Sequence, residues 1–405
     1  MAERSEPGNR EKMIKPQHLI MSSFFFQALA FGAWLPRIPE VQARLGLEPS
    51  ELAFALLGMP VGLLLAMPFA GPIVARIGGR AAIRWSFPLF LVAMSIPAAS
   101  THFVMLLAAL LACGIAMAMV ELGMNIVADE IEKHDHVAIM SRCHGFWSLG
   151  MMAGSLIGSG LAALGLAPEW SVLLVALAVS PLSLIVPAAL PRTTPATGHE
   201  QEAASPGLFV PGLLLLSICI VALASNLAEG ATADWSAVYL TDVFGATGGT
   251  AGLGYSAYAL TMAAGRFAGD WLRVQWGPVA LVRFCYGVAA LGVALVTFSP
   301  NYGTSILGFA LIGVGGSVGV PLAVSAAASV GGRSAASNVA MVTFISLIAF
   351  LGGPPVIGFL AQHFGLRVAL GITMLPAFVA GLLLARSLGA QGAQTPGVDR
   401  SAAGG

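Results

Sequence analysis

Residues 103–128 read FVMLLAALLACGIAMAMVELGMNIVA, an apolar run that contains a single charged residue, Glu121. About 20 apolar residues are needed for a helix to cross the hydrocarbon core of a bilayer, and this run is long enough. Within lipid a backbone must satisfy its own hydrogen bonds, so we interpret the run as a membrane-spanning helix. The whole chain is similar in composition: 57% of its 405 residues are hydrophobic and 9% are charged. A soluble domain has about 25% charged residues, so the composition indicates a membrane protein.

Further apolar runs of this kind divide into two sets of six. The first set lies near residues 17–35, 52–75, 84–100, 103–128, 144–165 and 170–190. The second set lies near residues 209–239, 251–272, 279–298, 302–325, 338–361 and 367–386. The sequence therefore predicts an all-α membrane protein with twelve transmembrane helices in two six-helix bundles.

The longest polar interruption between spans lies near the middle of the chain. We interpret residues 191–207 as a cytoplasmic linker between an N-terminal bundle, 1–190, and a C-terminal bundle with a short tail, 208–405. Short motifs also recur about 200 residues apart: Phe69-Ala70-Gly71 as Phe267-Ala268-Gly269, and Gly165-Leu166 as Gly365-Leu366. Since each half has an even number of spans, the halves are expected to share one orientation, with a cavity between them.

The orientation follows from the basic residues in the short loops. The segment from Met1 to Lys15 is hydrophilic and lacks a cleavage pattern, so we expect the first span to be retained. If the N-terminus is cytoplasmic, the opposite side of the membrane receives few basic residues, namely Arg37, Arg44 and Arg367. We therefore predict that both termini are cytoplasmic. Equal numbers of acidic and basic residues, 19 of each, give no reason to expect a nucleic-acid partner.

Two acidic residues, Glu121 and Glu229, lie inside apolar runs in opposite halves of the chain. Such a group is costly at bilayer depth, so it usually faces a cavity and marks a substrate, ion or proton path. Burial disfavours the charged form of a carboxyl, which lets it exchange a proton near neutral pH. Asn125, four residues after Glu121, lies on the same helical face and is a candidate substrate ligand. The alternative is that Glu121 is a structural carboxyl held by Asn125 or by a neighbouring helix.

Glu229 belongs to a helix that is expected to begin near Phe209, which places it about 30 Å along, toward the outer end. It is a candidate for proton coupling, and a gate or entrance role is an equal alternative. Asn226 precedes it by one turn and is a candidate substrate ligand. Asp234 follows near the outer loop, where it either binds substrate or is simply solvated.

Arg266 and Asp270 are four residues apart, so we expect them to pair with each other near the cytoplasmic end of a span. This pair is either structural or a state-dependent latch. His144 opens the fifth span, where it is an interfacial residue or a proton-relay partner of Glu121. Trp147, one turn further on, either stacks on a sugar ring or packs against its neighbours.

The sequence gives no pattern for a cofactor or a catalytic centre. The four cysteines lie in or beside different spans without metal-ligand spacing, and the glycine-rich runs lie inside apolar spans. We therefore expect no metal, no cofactor and no enzymatic activity. Since no ATP-hydrolysing motif is present, the energy for any transport should come from an ion gradient.

The loop Gly71-x-x-x-Ala75-Arg76-x-Gly78-x-Arg80 resembles the signature loop of the major facilitator superfamily, although Ala75 replaces the usual Asp. The second half retains the acid in Gly265-Arg266-x-x-Gly269-Asp270-x-x-Arg273. The resemblance implies the major facilitator fold. It also implies a gating or latch role for four residues: Arg76, Arg80, Arg266 and Asp270.

Three further motifs resemble a branch of bacterial inner-membrane facilitators that is related to the fucose permeases. They are Trp34-x-x-Arg37-Ile38-Pro39, His144-Gly145-x-x-Ser148-Leu149-Gly150 and Glu229-Gly230-x-x-x-Asp234-Trp235-Ser236-x-x-Tyr239-Leu240. Glu121-x-Gly123-x-Asn125 also resembles the fucose permease pattern, in which the acid contributes to proton coupling and the Asn lies close to the sugar. Those permeases use another acid in the first span, where this chain has Gln27, so the second titrating group is expected to be Glu229.

The sequence and the resemblance together favour an alternating-access secondary transporter in the inner (plasma) membrane. The expected activity is proton-coupled symport of a small polar solute, such as a sugar or related metabolite, by a monomer embedded in lipid. Proton-coupled efflux of a drug or metabolite is the close alternative. A membrane sensor that no longer transports is a further alternative from another class.

Overall fold

The chain is almost entirely helical in the computed structural model, which describes residues 15–191 and 210–393. Eight α-helices lie within residues 15–191. They are α1 (Pro16–Gly32), α2 (Ile38–Leu45), α3 (Pro49–Leu56), α4 (Gly58–Ile77), α5 (Gly79–Met94), α6 (Phe103–Asp135), α7 (Met140–Ala163) and α8 (Pro168–Ala189). Short α2 is amphipathic, while α3 and α4 run nearly continuously and together make one long apolar span.

Six more α-helices lie within residues 210–393. They are α9 (Leu213–Phe244), α10 (Gly248–Ala251), α11 (Leu253–Thr297), α12 (Tyr302–Gly316), α13 (Gly319–Ala328) and α14 (Ala335–Leu384). The described residues contain 10 segments that are long and apolar enough to cross a membrane. Two of these segments, which contain α11 and α14, are too long for one crossing and change direction at Gly277 and Gly365. Each supplies two spans, so the prediction of twelve transmembrane helices is confirmed.

Glycines with positive φ mark equivalent reversals in the two halves. Gly78, between α4 and α5, has φ 82°, and Gly277 in α11 has φ 74°. Gly165, after α7, and Gly365 in α14 both have φ 77°. A side chain disfavours this backbone region, whereas glycine adopts it readily. The motif repeat read from the sequence thus has a counterpart in the backbone, because the chain reverses by the same device about 200 residues apart.

We call the end of the bundle at which α1 and α9 begin the proximal face, and the opposite end the distal face. The two halves pack tightly at the distal face. Ser155 Oγ of α7 donates a hydrogen bond of 3.0 Å to the backbone oxygen of Gly252, which lies between α10 and α11. Gly358 of α14 lies so close to α3 that a Cβ atom there would be 2.7 Å from the Pro49 oxygen. The distal face is therefore closed in this structure.

Helix α9 lies four to five residues further along the chain than the apolar run that predicts it. The expected start near Phe209 and end near residue 239 were wrong, because the helix runs from Leu213 to Phe244. Hydropathy marks where a helix leaves the hydrocarbon, while the helix itself continues where its neighbours still pack against it. Glu229 therefore lies at the middle of α9 rather than toward its outer end, and Asp234 is inside the helix rather than beside a loop.

The boundary between the halves remains a prediction. Most of the linker that the sequence places at residues 191–207 lies outside the described residues, as does the N-terminal segment before Lys15.

Close helix packing makes Gly114 of α6 a sensitive position. A Cβ atom there would overlap the backbone oxygen of Met59 in α4, and backbone cannot rotate away. We expect Gly114→Ala to lower stability by about 1–3 kcal/mol, the usual cost of overpacking. Thermal unfolding of the purified protein in detergent measures this, with Gly160→Ala as the control, since nothing lies within 4 Å of a Cβ at Gly160. Equal unfolding temperatures for the two variants would contradict the packing assigned to α4 and α6.

Candidate functional site

A cavity of about 740 Å³ lies between the two halves and is lined by both. Phe24, Glu121 and Trp147 line it from the first half, and Glu229 and Arg266 from the second. It reaches toward the proximal face, where its lining includes Ser141 at the start of α7 and Ser325 near the end of α13. Because the distal face is closed, solute has access to this cavity from the proximal side.

Glu121 lies near the middle of α6, and its side chain lines the cavity. Asn125 lines the same wall, and its Nδ2 donates a hydrogen bond of 2.9 Å to the backbone oxygen of Glu121. The carboxylate of Glu121 has no hydrogen bond or ion pair with any described residue. Asn125 therefore does not bind this carboxylate, contrary to the structural alternative. The carboxylate faces the cavity without a fixed partner among the described residues.

Glu229 is held by an arginine. Its two carboxylate oxygens accept hydrogen bonds of 3.1 and 3.4 Å from Arg266 Nη2, and the side chains of Arg266 and Glu229 are 16% and 17% exposed. The expected pairing of Arg266 with Asp270 was wrong. The reason is geometric, because the central position of Glu229 in α9 brings its carboxylate within reach of α11, and it takes the guanidinium instead. Asp270 lines the cavity without an ion pair to any described residue.

The same arginine also contacts the first half of the chain. Arg266 Nη1 donates a hydrogen bond of 2.6 Å to Ser148 Oγ of α7, and a longer one of 3.5 Å to the backbone oxygen of His144. One guanidinium thus joins α9, α11 and α7 across the cavity wall.

The two polar candidates on α9 also line the cavity. Asn226 lies one turn before Glu229, and Asp234 lies just over one turn after it. Asp234 is partly buried, and its carboxylate has no hydrogen bond or ion pair with any part of the chain that the structure describes. Tyr255 of α11 lines the same cavity. Simple solvation outside the bundle does not describe Asp234, because α9 continues well beyond it.

His144 and Trp147 line the cavity from α7. The ring of His144 packs edge-on against Phe24 of α1, with ring centroids 5.6 Å apart. The indole nitrogen of Trp147 donates a hydrogen bond of 3.1 Å to Oε1 of Gln27, also in α1. Gln27 therefore fixes the orientation of Trp147. The ring of Trp147 remains part of the cavity wall, while its N–H group is used within the protein.

Arg76 and Arg80 lie apart from the cavity, at the proximal face. Arg80 Nε donates a hydrogen bond of 3.1 Å to the backbone oxygen of Pro187, and Arg80 Nη2 donates to that of Ala188. These contacts fasten α5 to the end of α8 within the first half. Arg76 is exposed. The latch role of both residues stays a prediction.

Sequence reasoning missed several polar groups of this site. Ser148 was noted only as part of a family motif and was not proposed as a site residue, although it contacts Arg266 directly. Tyr255 and Ser325 were not singled out, and Ser325 Oγ accepts a hydrogen bond of 2.9 Å from Arg273 Nη2. The available signal for Ser148 was its place one turn after the candidate histidine, His144. That signal was insufficient, because a contact between the halves depends on how the two bundles pack together. Within residues 15–191 and 210–393 the structure has no group of three potential metal ligands.

Two matched bundles of membrane-spanning helices enclose a central cavity that contains several charged and polar side chains and has access from one side. This is the architecture of secondary transporters that work with parallel repeats. The chain belongs to the major facilitator superfamily, whose sequence model matches residues 20–228 and 214–402. The resemblance read from the sequence motifs is confirmed, and the chain is a transporter of this superfamily.

Comparisons with individual proteins agree with this assignment. The chain is 33% identical to an uncharacterised MFS-type transporter of Yersinia pestis over 360 residues, which is 87% of this chain and 91% of that protein. A bacterial homologue of the human lysosomal transporter Spinster, in an inward-facing and unoccupied conformation, has a similar fold (TM-score 0.70, 14% identity, 92% of this chain and 97% of that chain). The fucose:proton symporter FucP of E. coli also has a similar fold (TM-score 0.58, 18% identity, 92% and 98%).

Proposed function

We propose that the chain is a proton-coupled secondary transporter that takes up a small polar solute, such as a sugar or related metabolite, by alternating access. The observation that carries this proposal is the Glu121 carboxylate, which faces a cavity between the two halves and has no fixed partner among the described residues. A carboxyl in such a place gains and loses a proton as its access to water changes. Protonation then biases the equilibrium between the two open states.

The polar groups of the cavity support a hydrophilic solute. Asn125 and Asn226 offer amide groups from opposite halves, and Trp147 offers an aromatic face held in place by Gln27. Amide groups pair with hydroxyls, and aromatic faces pack against the apolar faces of sugar rings. Binding to both halves at once is what allows a solute to stabilise the intermediate between the two open states. FucP, a fucose:proton symporter, has the same fold, which makes sugars a reasonable first class to test.

Orientation and assembly complete the proposal. The proximal face is assigned to the cytoplasm, because the exposed Arg76 and Arg273 lie there and cytoplasmic loops carry an excess of basic residues. Both termini are then cytoplasmic, and the cavity opens inward. The protein is proposed to lie in the bacterial inner membrane and to act as a monomer, since one chain supplies the whole cavity.

The test is a panel of radiolabelled sugars and organic acids offered to membrane vesicles with an imposed pH gradient. For at least one solute we expect accumulation above the level reached without the gradient, and its loss when a protonophore collapses the gradient. Vesicles without the protein are the control. Accumulation that survives the protonophore would count against proton coupling.

Efflux is the second candidate, and the methionines of the cavity favour it. Met59, Met117, Met124, Met140 and Met151 all line the wall. Unbranched, polarizable side chains adapt to ligands of different shape, and they are common at promiscuous binding surfaces. Under this alternative, protons drive apolar solutes out of the cell. Cells expressing the protein would then retain less of an apolar dye than cells without it, and no sugar of the panel would accumulate.

A further inference from the structure

The seam between α7 and α11 joins the two halves beside the cavity. Gly145 of α7 faces Phe267 of α11 so closely that a Cβ atom would be 2.6 Å from the Phe267 ring. The rings of Phe146 and Phe267 meet edge to face with centroids 6.1 Å apart. Apolar contacts therefore hold the two halves together here, and these contacts do not depend on the charge of any residue.

Ser148 supplies the polar contact of this seam. Its side chain is 2% exposed, and its Oγ accepts the short hydrogen bond from Arg266 Nη1. The other end of the same guanidinium holds the carboxylate of Glu229. Hydrogen bonds with an ionised partner are stronger than neutral ones, and their strength depends on geometry. The contact between the halves is thus linked to the charge of Glu229 through a single side chain.

We propose that Ser148 is a positioning residue that holds Arg266 on Glu229 and, through it, ties the two halves together in the state that is open to the proximal face. While Glu229 is ionised, Arg266 is fixed between Glu229 and Ser148, and the tie resists opening of the distal face. Without the charge of Glu229, Arg266 loses its counter-ion and its fixed orientation, so the tie to Ser148 weakens. The inference rests on the alternating-access function proposed above, and it assigns to Ser148 a role in coupling charge to state.

Other ionisable groups lie near this pair. Those that interact electrostatically with Glu229 or Arg266, or line the same cavity, are Glu121 of α6, His144 of α7, Asp234 of α9, and Tyr255, Tyr258, Asp270 and Arg273 of α11. Several charges therefore contribute to the electrostatic environment of Arg266 and Glu229. Substitution of Ser148, which carries no charge, isolates the electrostatic effect that reaches the contact between the halves through Arg266.

The experiment follows the opening of the distal face with a cysteine reporter. Ser159 of α7 is 2% exposed and packs against Gly252 at the distal seam, so Ser159→Cys reacts with a membrane-impermeant maleimide only when that seam opens. Ser141→Cys reports the proximal mouth of the cavity. The four native cysteines are buried, which keeps the background low. Rates are normalised at each pH to those of the same cysteine in unfolded protein, because thiolate content itself varies with pH.

Addition of Glu229→Gln to the Ser159→Cys protein removes the charge that orients Arg266, so we expect it to raise labelling. Addition of Ser148→Ala alone should raise labelling about tenfold to a hundredfold, as expected for loss of a hydrogen bond to a charged group, while labelling of Ser141→Cys falls. Once residue 148 is alanine, the further addition of Glu229→Gln should change labelling much less. Ser148→Thr, which keeps the hydroxyl, should restore both the rate and its response to Glu229→Gln.

The matched control is Ser155→Ala on the same helix. Ser155 also bonds across the halves, but to the backbone oxygen of Gly252, which has no charge to lose. This variant should raise labelling by the same factor with and without Glu229→Gln. If Ser148→Ala behaves in the same way, or changes nothing, Ser148 has only a structural role and the inference is overturned. If Ser159→Cys stays unlabelled at every pH in the parent protein, alternating access itself fails, and both proposals fall.

Discussion

Replacement of Glu121 by Gln is expected to abolish accumulation driven by a pH gradient for any solute that the vesicle panel identifies. Glutamine has the shape of a protonated glutamic acid but cannot release a proton, so the gradient no longer acts on the transport cycle. One proton per solute molecule gives about tenfold accumulation per pH unit, since a pH unit is worth about 1.4 kcal/mol. The variant should lose this factor and let solute reach equal concentrations on both sides.

Exchange of labelled for unlabelled solute distinguishes lost coupling from lost folding. A permanently neutral residue 121 resembles the protonated state, so Glu121→Gln should still exchange solute across vesicles without a gradient. Glu130→Gln is the matched control, because Glu130 lies on the same helix but does not line the cavity, and it should accumulate solute normally. Gradient-driven accumulation by Glu121→Gln at the parent level would falsify the assignment of the proton site.

The class and the helix content of this protein were predictable because they depend on local properties. An apolar run of sufficient length must form a helix in lipid whatever surrounds it, and the repeats show that the two halves are built alike. Gly165 and Gly365 stand in the repeated motifs and mark reversals in the structure. The family could likewise be recognised from Gly78 and Arg80, whose roles are confined to one half.

The partners of the charged residues were less predictable. Arg266 and Asp270 satisfy the spacing rule for a pair on one helix, yet Arg266 binds Glu229 on another helix. Spacing describes neighbours along one helix, whereas a buried charge takes whichever counter-ion the packed bundle brings closest. Ser148 escaped notice for the same reason, since its contact depends on how two bundles meet.

The second large effect concerns the pair of Arg266 and Glu229. Arg266→Gln leaves the carboxylate of Glu229 partly buried without its counter-ion, and Glu229→Gln does the same to the guanidinium. Breaking a fully buried pair costs about 3–5 kcal/mol, but these side chains face a cavity that admits water. We therefore expect each single variant to lower stability by about 1–3 kcal/mol, a range typical of disrupted polar networks. Thermal unfolding in detergent, followed by tryptophan fluorescence, measures the loss.

The double variant Glu229→Gln/Arg266→Gln separates charge from shape. It removes both charges together and keeps two amides of similar size, so it should be more stable than either single variant. The difference between the double variant and the sum of the single ones gives the interaction energy of the pair, which should exceed the larger single loss and is therefore expected to be about 1–3 kcal/mol. Additive losses would show that the two side chains do not interact in solution. In that case Arg266 has no charged partner through which Ser148 can act, so stability measurements on this pair also decide whether the seam between the halves responds to charge.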